Sequence, residues 1–274
     1  MNRSASKSKA LLEVICVYLL VFLAVKVLKI TFLGKWQSSV LPKPFLNHIL
    51  MMGIPLLLLA LTKRNFAVYG ISFKNMKYHL KIVLICLLPV LMASSVFAFI
   101  DWEKWSGALI LAPIYLALLF IFGGLLRKQT TLGNGVTLCA LLLFAATPLS
   151  AGTITGRSIL SFLYHFIFVG FGEEILFRGY FQSRFNLAFG RPFRFLGVKW
   201  GWGIIITSLI FGFAHVLNPF NPFLGQFGLC WPYGFWTFFI GLMFGYLREK
   251  TGSIVVPALL HGTPQALASL FFGL

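Results

Sequence analysis

Residues 82–100 read IVLICLLPVLMASSVFAFI, nineteen consecutive positions without a charge. About 20 apolar residues in a helix, at about 1.5 Å each, cover the roughly 30 Å hydrocarbon core of a bilayer. The stretch therefore reads as a membrane-spanning helix, and others like it lie on both sides. Nine candidate spans emerge, at 10–33, 45–62, 82–101, 106–126, 135–151, 157–180, 201–217, 232–248 and 253–273. The short 135–151 window also fits a re-entrant segment, which would leave eight. Hydrophobic residues make up 59% of the 274-residue chain and charged residues 11%, whereas a soluble domain carries about 25% charged residues. The runs are too long and too uniformly apolar for barrel strands, which alternate over short segments. The expected fold is all-α, a polytopic transmembrane helical bundle of eight to nine spans, with no internal repeat.

Lysine and arginine number 23 against 6 acidic residues, a net charge of +17. No basic stretch is long enough to form a nucleic-acid-binding domain, so the excess reads as topogenic charge facing anionic headgroups. Most of it falls at the N-terminus and at 63–81, 127–128, 184–199 and 248–250. Segments 34–44, 101–105, 152–157 and 218–231 hold little. The positive-inside rule then predicts a multi-pass cell-membrane protein with a cytoplasmic N-terminus. The first apolar run is longer than a signal-peptide core and no cleavage site follows it, so it is expected to be retained. Trp102, Trp105, Trp200, Trp202 and Trp231 sit at span ends, as an aromatic belt would place them. Residues 181–199, with five phenylalanines among basic residues, suggest an interfacial amphipathic element. Cys16, Cys86, Cys139 and Cys230 show no CxxC spacing and imply no disulfide framework.

Of the six acidic residues, Glu13, Asp101, Glu103 and Glu249 lie near span ends, where water is expected to reach them. Glu173 and Glu174 lie together inside an apolar helix. An ionised carboxylate at that depth costs at least about 2.5–3.5 kcal/mol, so something must hold the pair there. Glu174 and Arg178 are i and i+4 and can pair on one helix face. Glu173 is about 100° around the helix, free to face a cavity. His215 and His261 fall in later apolar helices. His48 and His79 lie near span ends and read as interfacial. His165, about two turns before Glu173, is a candidate neighbour. A two-aspartate protease is excluded because Asp101 is the only aspartate, and no HExxH zinc helix is present. Straight-helix arithmetic at about 1.5 Å per residue puts Glu173 roughly 8 Å, His261 about 12 Å and His215 about 20 Å from the inner ends of their helices. The three meet only if the 201–217 helix starts outside the hydrocarbon core, or if a helix is tilted or broken.

Three motifs stand in order on these helices: Glu173-Glu174 followed by Arg178, Phe211 followed by His215, and His261 followed by Gln265. They resemble those of the CPBP family, the CAAX-processing and bacteriocin-processing (ABI) intramembrane endopeptidases. The resemblance covers about 155–273 and divides the chain into N-terminal transmembrane helices, 1–150, and a catalytic transmembrane core, 151–274. It implies hydrolysis of a peptide bond in a membrane-associated, prenylated or other peptide substrate. Glu173 would be the general base, acting with His215 on a water. His261 and Gln265 would stabilise the oxyanion, with Glu174 and Arg178 supporting them. Gln265 stands where the family usually has asparagine. No cofactor is expected; the alternative is zinc or another divalent metal held by Glu173, His215 and His261. Membrane lipids and a membrane-associated protein or peptide are the expected partners, without nucleic acid. Two other readings stay open, a catalytically inert scaffold or immunity protein of the same fold, and a proton-coupled transporter in which Glu173 titrates.

Overall fold

In lipid every backbone polar group must be satisfied within the chain, which favours long helices. A computed structural model, describing residues 3–128 and 155–272, shows a helical bundle. In chain order the helices are α1 (Arg3–Leu28), α2 (Phe32–Val40), α3 (Phe45–Leu61), α4 (Met76–Ser95), α5 (Trp105–Lys128), α6 (Gly156–Phe189), α7 (Trp202–Val216), α8 (Trp231–Thr251) and α9 (Val255–Phe272). Among the described residues, Lys7–Leu28, Met76–Ala98, Trp105–Arg127 and Gly156–Phe189 are long and apolar enough to cross a membrane; Phe45–Leu61 and Trp202–Val216 are shorter apolar helices. The chain is a membrane protein. Each expected span falls on a helix except 135–151, which, like Cys139, lies outside the described residues.

Several boundaries differ from expectation. Segment 34–44, expected to be a loop, is mostly α2, whose first turn is capped by Thr31 accepting from the Gly34 N–H. Helix α6 runs nine residues past its expected end at 180, to Phe189. An antiparallel hairpin follows, β1 (Phe193–Phe195) paired with β2 (Val198–Trp200). Residues 181–199 are thus no single interfacial element. Phe181 and Phe185 are 0% exposed and pack with Phe177 against Val14 and Val17 of α1, because α1 covers the face the sequence left open. The hairpin tip seats Leu196 against Gly123 of α5, where an added Cβ would come within 1.9 Å of the leucine. Cys16 is exposed and Cys86 buried, both free.

Two apolar clusters carry the packing. One joins α4, α5, α8 and α9 around Cys86, Leu111, Phe122, Met243 and Leu260. The other joins α1, α3, α6 and α7 around Val14, Leu59, Leu176, Phe181 and Phe211. Without a hydrophobic drive between helices in lipid, close approach depends on small residues. Gly212 of α7 faces Gly234 of α8, and a Cβ on Gly212 would stand 2.6 Å from the Gly234 carbonyl oxygen. Gly170 of α6 and Gly262 of α9 make a second such crossing. A Cβ on Gly170 would meet the Ala258 oxygen at 2.6 Å, and one on Gly262 the His165 oxygen at 2.6 Å. This crossing sets His261 beside the glutamate pair.

Candidate active site

The glutamates occupy a one-turn α segment, Gly170–Glu174, between two π-helical stretches, Tyr164–Val169 and Ile175–Gln182. Such turns displace the side-chain register and concentrate at functional sites. Helix α6 is therefore broken in geometry though continuous in chain, the third of the conditions for the motif residues to meet.

Glu174 is fully buried. Its Oε1 accepts from Arg178 Nη1 at 2.8 Å and lies 3.0 Å from His261 Nδ1. Arg178, 1% exposed, stacks its guanidinium on the ring of Phe211 at 4.2 Å and lies near that of Phe244 at 5.5 Å. The i,i+4 pairing read from the sequence is present. One carboxylate, one guanidinium and one imidazole thus form a buried cluster at the seam between the two cores.

Glu173 is placed differently. Its Oε1 is 3.7 Å from His48 Nε2 and its Oε2 is 3.8 Å from His261 Nε2. Both separations exceed a direct hydrogen bond and suit a bridging water. Glu173 Oε2 is buried with no hydrogen-bond partner among the described residues. His261 touches both carboxylates: Nδ1 faces Glu174 and Nε2 faces Glu173. His215 lies within electrostatic range of Glu173. Its Nδ1 is 2.8 Å from the Phe211 carbonyl oxygen, so Nδ1 carries the proton and Nε2 is left free. Its ring packs on Tyr233, and Phe211 lies between His215 and His261, at 4.5 and 6.3 Å.

Gln265 is exposed one turn beyond His261 and makes no hydrogen bond among the described residues. Helix α9 continues through Pro264 between them. His165, the candidate neighbour, turns away and bonds Ser269 Oγ at 2.8 Å. No group of three or more His, Cys, Asp or Glu arranged to hold a metal is found among the described residues.

The structure adds partners that the sequence did not show. His48, expected to be interfacial, also stands beside Glu173, with Nδ1 3.1 Å from the Tyr164 hydroxyl. It comes from α3, outside every motif, and a lone histidine near a span end carries no spacing signal. His79 is buried within the protein near the start of α4. Glu13 and Glu249 are not left to water. Glu13 pairs with Arg64 and Arg184 and accepts from Tyr180, and Glu249 is bonded by Gln182, Asn186 and Arg191.

Residues 155–267 match the family model described as Type II CAAX prenyl endopeptidase Rce1-like, in line with the resemblance carried by the three motifs. The matched segment carries Glu173, Glu174, Arg178, His215, His261 and Gln265, and excludes His48. Comparison with curated proteins and with solved structures gave no match.

Proposed function

We propose that this protein hydrolyses a peptide bond of a membrane-associated substrate, with Glu173 as general base and no metal ion. The observation that carries this reading is the division of labour between adjacent glutamates. Glu174 is consumed by Arg178 and His261, while Glu173 keeps a buried oxygen without a partner. A water held by Glu173 and His215 would lose its proton to Glu173 as its oxygen attacks the scissile carbonyl carbon. The oxyanion that forms would be met by His261 and the free amide of Gln265. Donation from His261 Nε2, while Nδ1–H stays on Glu174, requires both ring protons. Collapse breaks the C–N bond, and Glu173 returns the proton to the departing amine. An imidazole donor aimed at developing charge in a dry site is worth about 3–4 kcal/mol. The substrate class follows the family description: a protein or peptide carrying a prenylated CAAX-type C-terminus is the first to assay.

The test is cleavage by purified protein in a chelating buffer. Wild type should turn over such a peptide, and Glu173→Gln should not, with its thermal unfolding midpoint unchanged. Turnover by Glu173→Gln would remove the assignment. Loss of wild-type turnover on chelation, restored by zinc, would restore the metal alternative.

A further inference from the structure

Helix α8 ends in Arg248-Glu249-Lys250, beneath the β1–β2 hairpin, far in sequence from the histidines. Between them lies a cavity of about 420 Å³, lined among others by Arg191, Lys199, Arg248, Glu249 and Lys250. Four of these five residues are cationic. Glu249 is saturated: its carboxylate takes Gln182 Nε2 at 2.7 Å, Asn186 Nδ2 at 2.6 Å and Arg191 Nε. Arg191 is thereby neutralised, and Lys199, Lys250 and Arg248 have no ion-pair partner among the described residues.

Arg248 is the telling residue. It is 3% exposed, yet no carboxylate pairs with it. Its Nη2 donates to Ser183 Oγ at 2.8 Å and to the Val68 carbonyl at 3.4 Å, while Nε is buried without a partner. Gly70, at φ +74°, leaves room for the guanidinium; a Cβ there would lie 3.1 Å from Nη2. A buried cation without a direct ion pair is costly; the nearest carboxylate, Glu249, attracts Arg248 but is already held by Gln182, Asn186 and Arg191, and the cavity's other free charges are positive. Topogenic lysines need no such cavity and no buried arginine.

We propose that this cavity binds a phosphate-bearing anion, with Arg248 as the buried anchor and Lys199 and Lys250 at the rim. By the charge bias it lies at the cytoplasmic end, where basic pockets between membrane helices meet anionic headgroups. The hairpin is fixed to α5 through Leu196 and Gly123, so the rim is preformed. The proposal does not depend on the hydrolytic reading.

Binding is measured with purified full-length protein in neutral detergent, by thermal shift and calorimetry. The probes are inorganic phosphate, short-chain phosphatidylglycerol and short-chain phosphatidylcholine. Wild type should bind phosphatidylglycerol more tightly than phosphatidylcholine. The Lys199→Ala/Lys250→Ala double variant should bind it roughly thirty-fold more weakly, the effect of two basic residues near an anionic group. Lys74→Ala/Lys77→Ala carries the same change in net charge and should bind like wild type. Arg248→Gln should lose binding if it folds; the rim pair carries the test if it does not. Phosphate binding with the same variant dependence identifies a free anion as a sufficient occupant, and binding of phosphatidylglycerol alone identifies a headgroup. Absence of preferential anion binding, or equal losses in the rim and control variants, overturns the proposal.

Discussion

At the residue scale, the two adjacent glutamates separate charge holding from chemistry, and they should separate in mutants too. Glu174→Gln leaves Arg178 buried without a full counter-charge and weakens the hold on His261. Removing one partner of a buried pair costs about 3–5 kcal/mol, so this variant should unfold well below wild type in detergent, where Glu173→Gln does not. Equal stability of the two variants would contradict the assigned division. His48 should behave as a positioning residue for Glu173. His48→Ala should lower kcat roughly tenfold, the worth of one water-mediated hydrogen bond to a charged group, with KM little changed and with the expression and melting of the wild type. An alanine variant with unaltered kcat would remove His48 from the site. Most of this constellation is legible in the amino-acid sequence: an i,i+4 Glu–Arg pair and two later histidines on apolar helices are visible as spacing. His48 is not, since its proximity to Glu173 is created by the packing of α3 against α6, and no local pattern encodes that.

At the scale of elements, helix boundaries follow apolar length, but the interruptions of α6 do not. Nothing in Tyr164–Val169 or Ile175–Gln182 announces a π turn; both stretches pack against neighbouring helices, the first on α3 and α9 and the second on α3 and α7. The same holds for the extension to Phe189, since phenylalanines among arginines read equally well as an interface or as a face covered by α1. The α6–α9 crossing makes the element-scale prediction. Gly262→Ala would bring its Cβ to 2.6 Å from the His165 oxygen and 2.8 Å from the Phe166 oxygen, both backbone atoms. Neither can rotate aside, so α9 must back away from α6. Overpacking of this kind costs about 1–3 kcal/mol, and it moves His261 from both glutamates, so activity should fall more than stability. Gly124→Ala in α5 meets nothing within 4 Å and should be neutral or slightly stabilising, alanine being the better helix former. If both variants retain full activity, the glycine crossing does not set the site.

At the scale of the molecule, the charge bias read from the sequence acquires a shape. Arg64, Arg184 and Glu13 tie α1, the end of α3 and the end of α6 together, and the hairpin with Arg191 and Lys199 lies beside the basic end of α8. The segment between α4 and α5 meets the start of α8, where the Trp102 carbonyl accepts from Trp236 and Cys230 approaches Glu103. The short β3–β4 hairpin, Phe220–Asn221 with Gln226–Phe227, follows the end of α7 that Lys26 caps through the Leu217 and Asn218 carbonyls. Positive charge retained on the cytoplasmic side then predicts one orientation: the N-terminus and the β1–β2 hairpin inside, the β3–β4 hairpin outside. On a background without the native cysteines, a membrane-impermeant maleimide applied to intact cells should label Leu224→Cys, which is exposed at the β3–β4 turn, and should spare Lys199→Cys until the membrane is opened. The reverse pattern would invert the molecule. It would also move the cavity beside Arg248 to the outer leaflet, away from the anionic surface its charge is suited to meet.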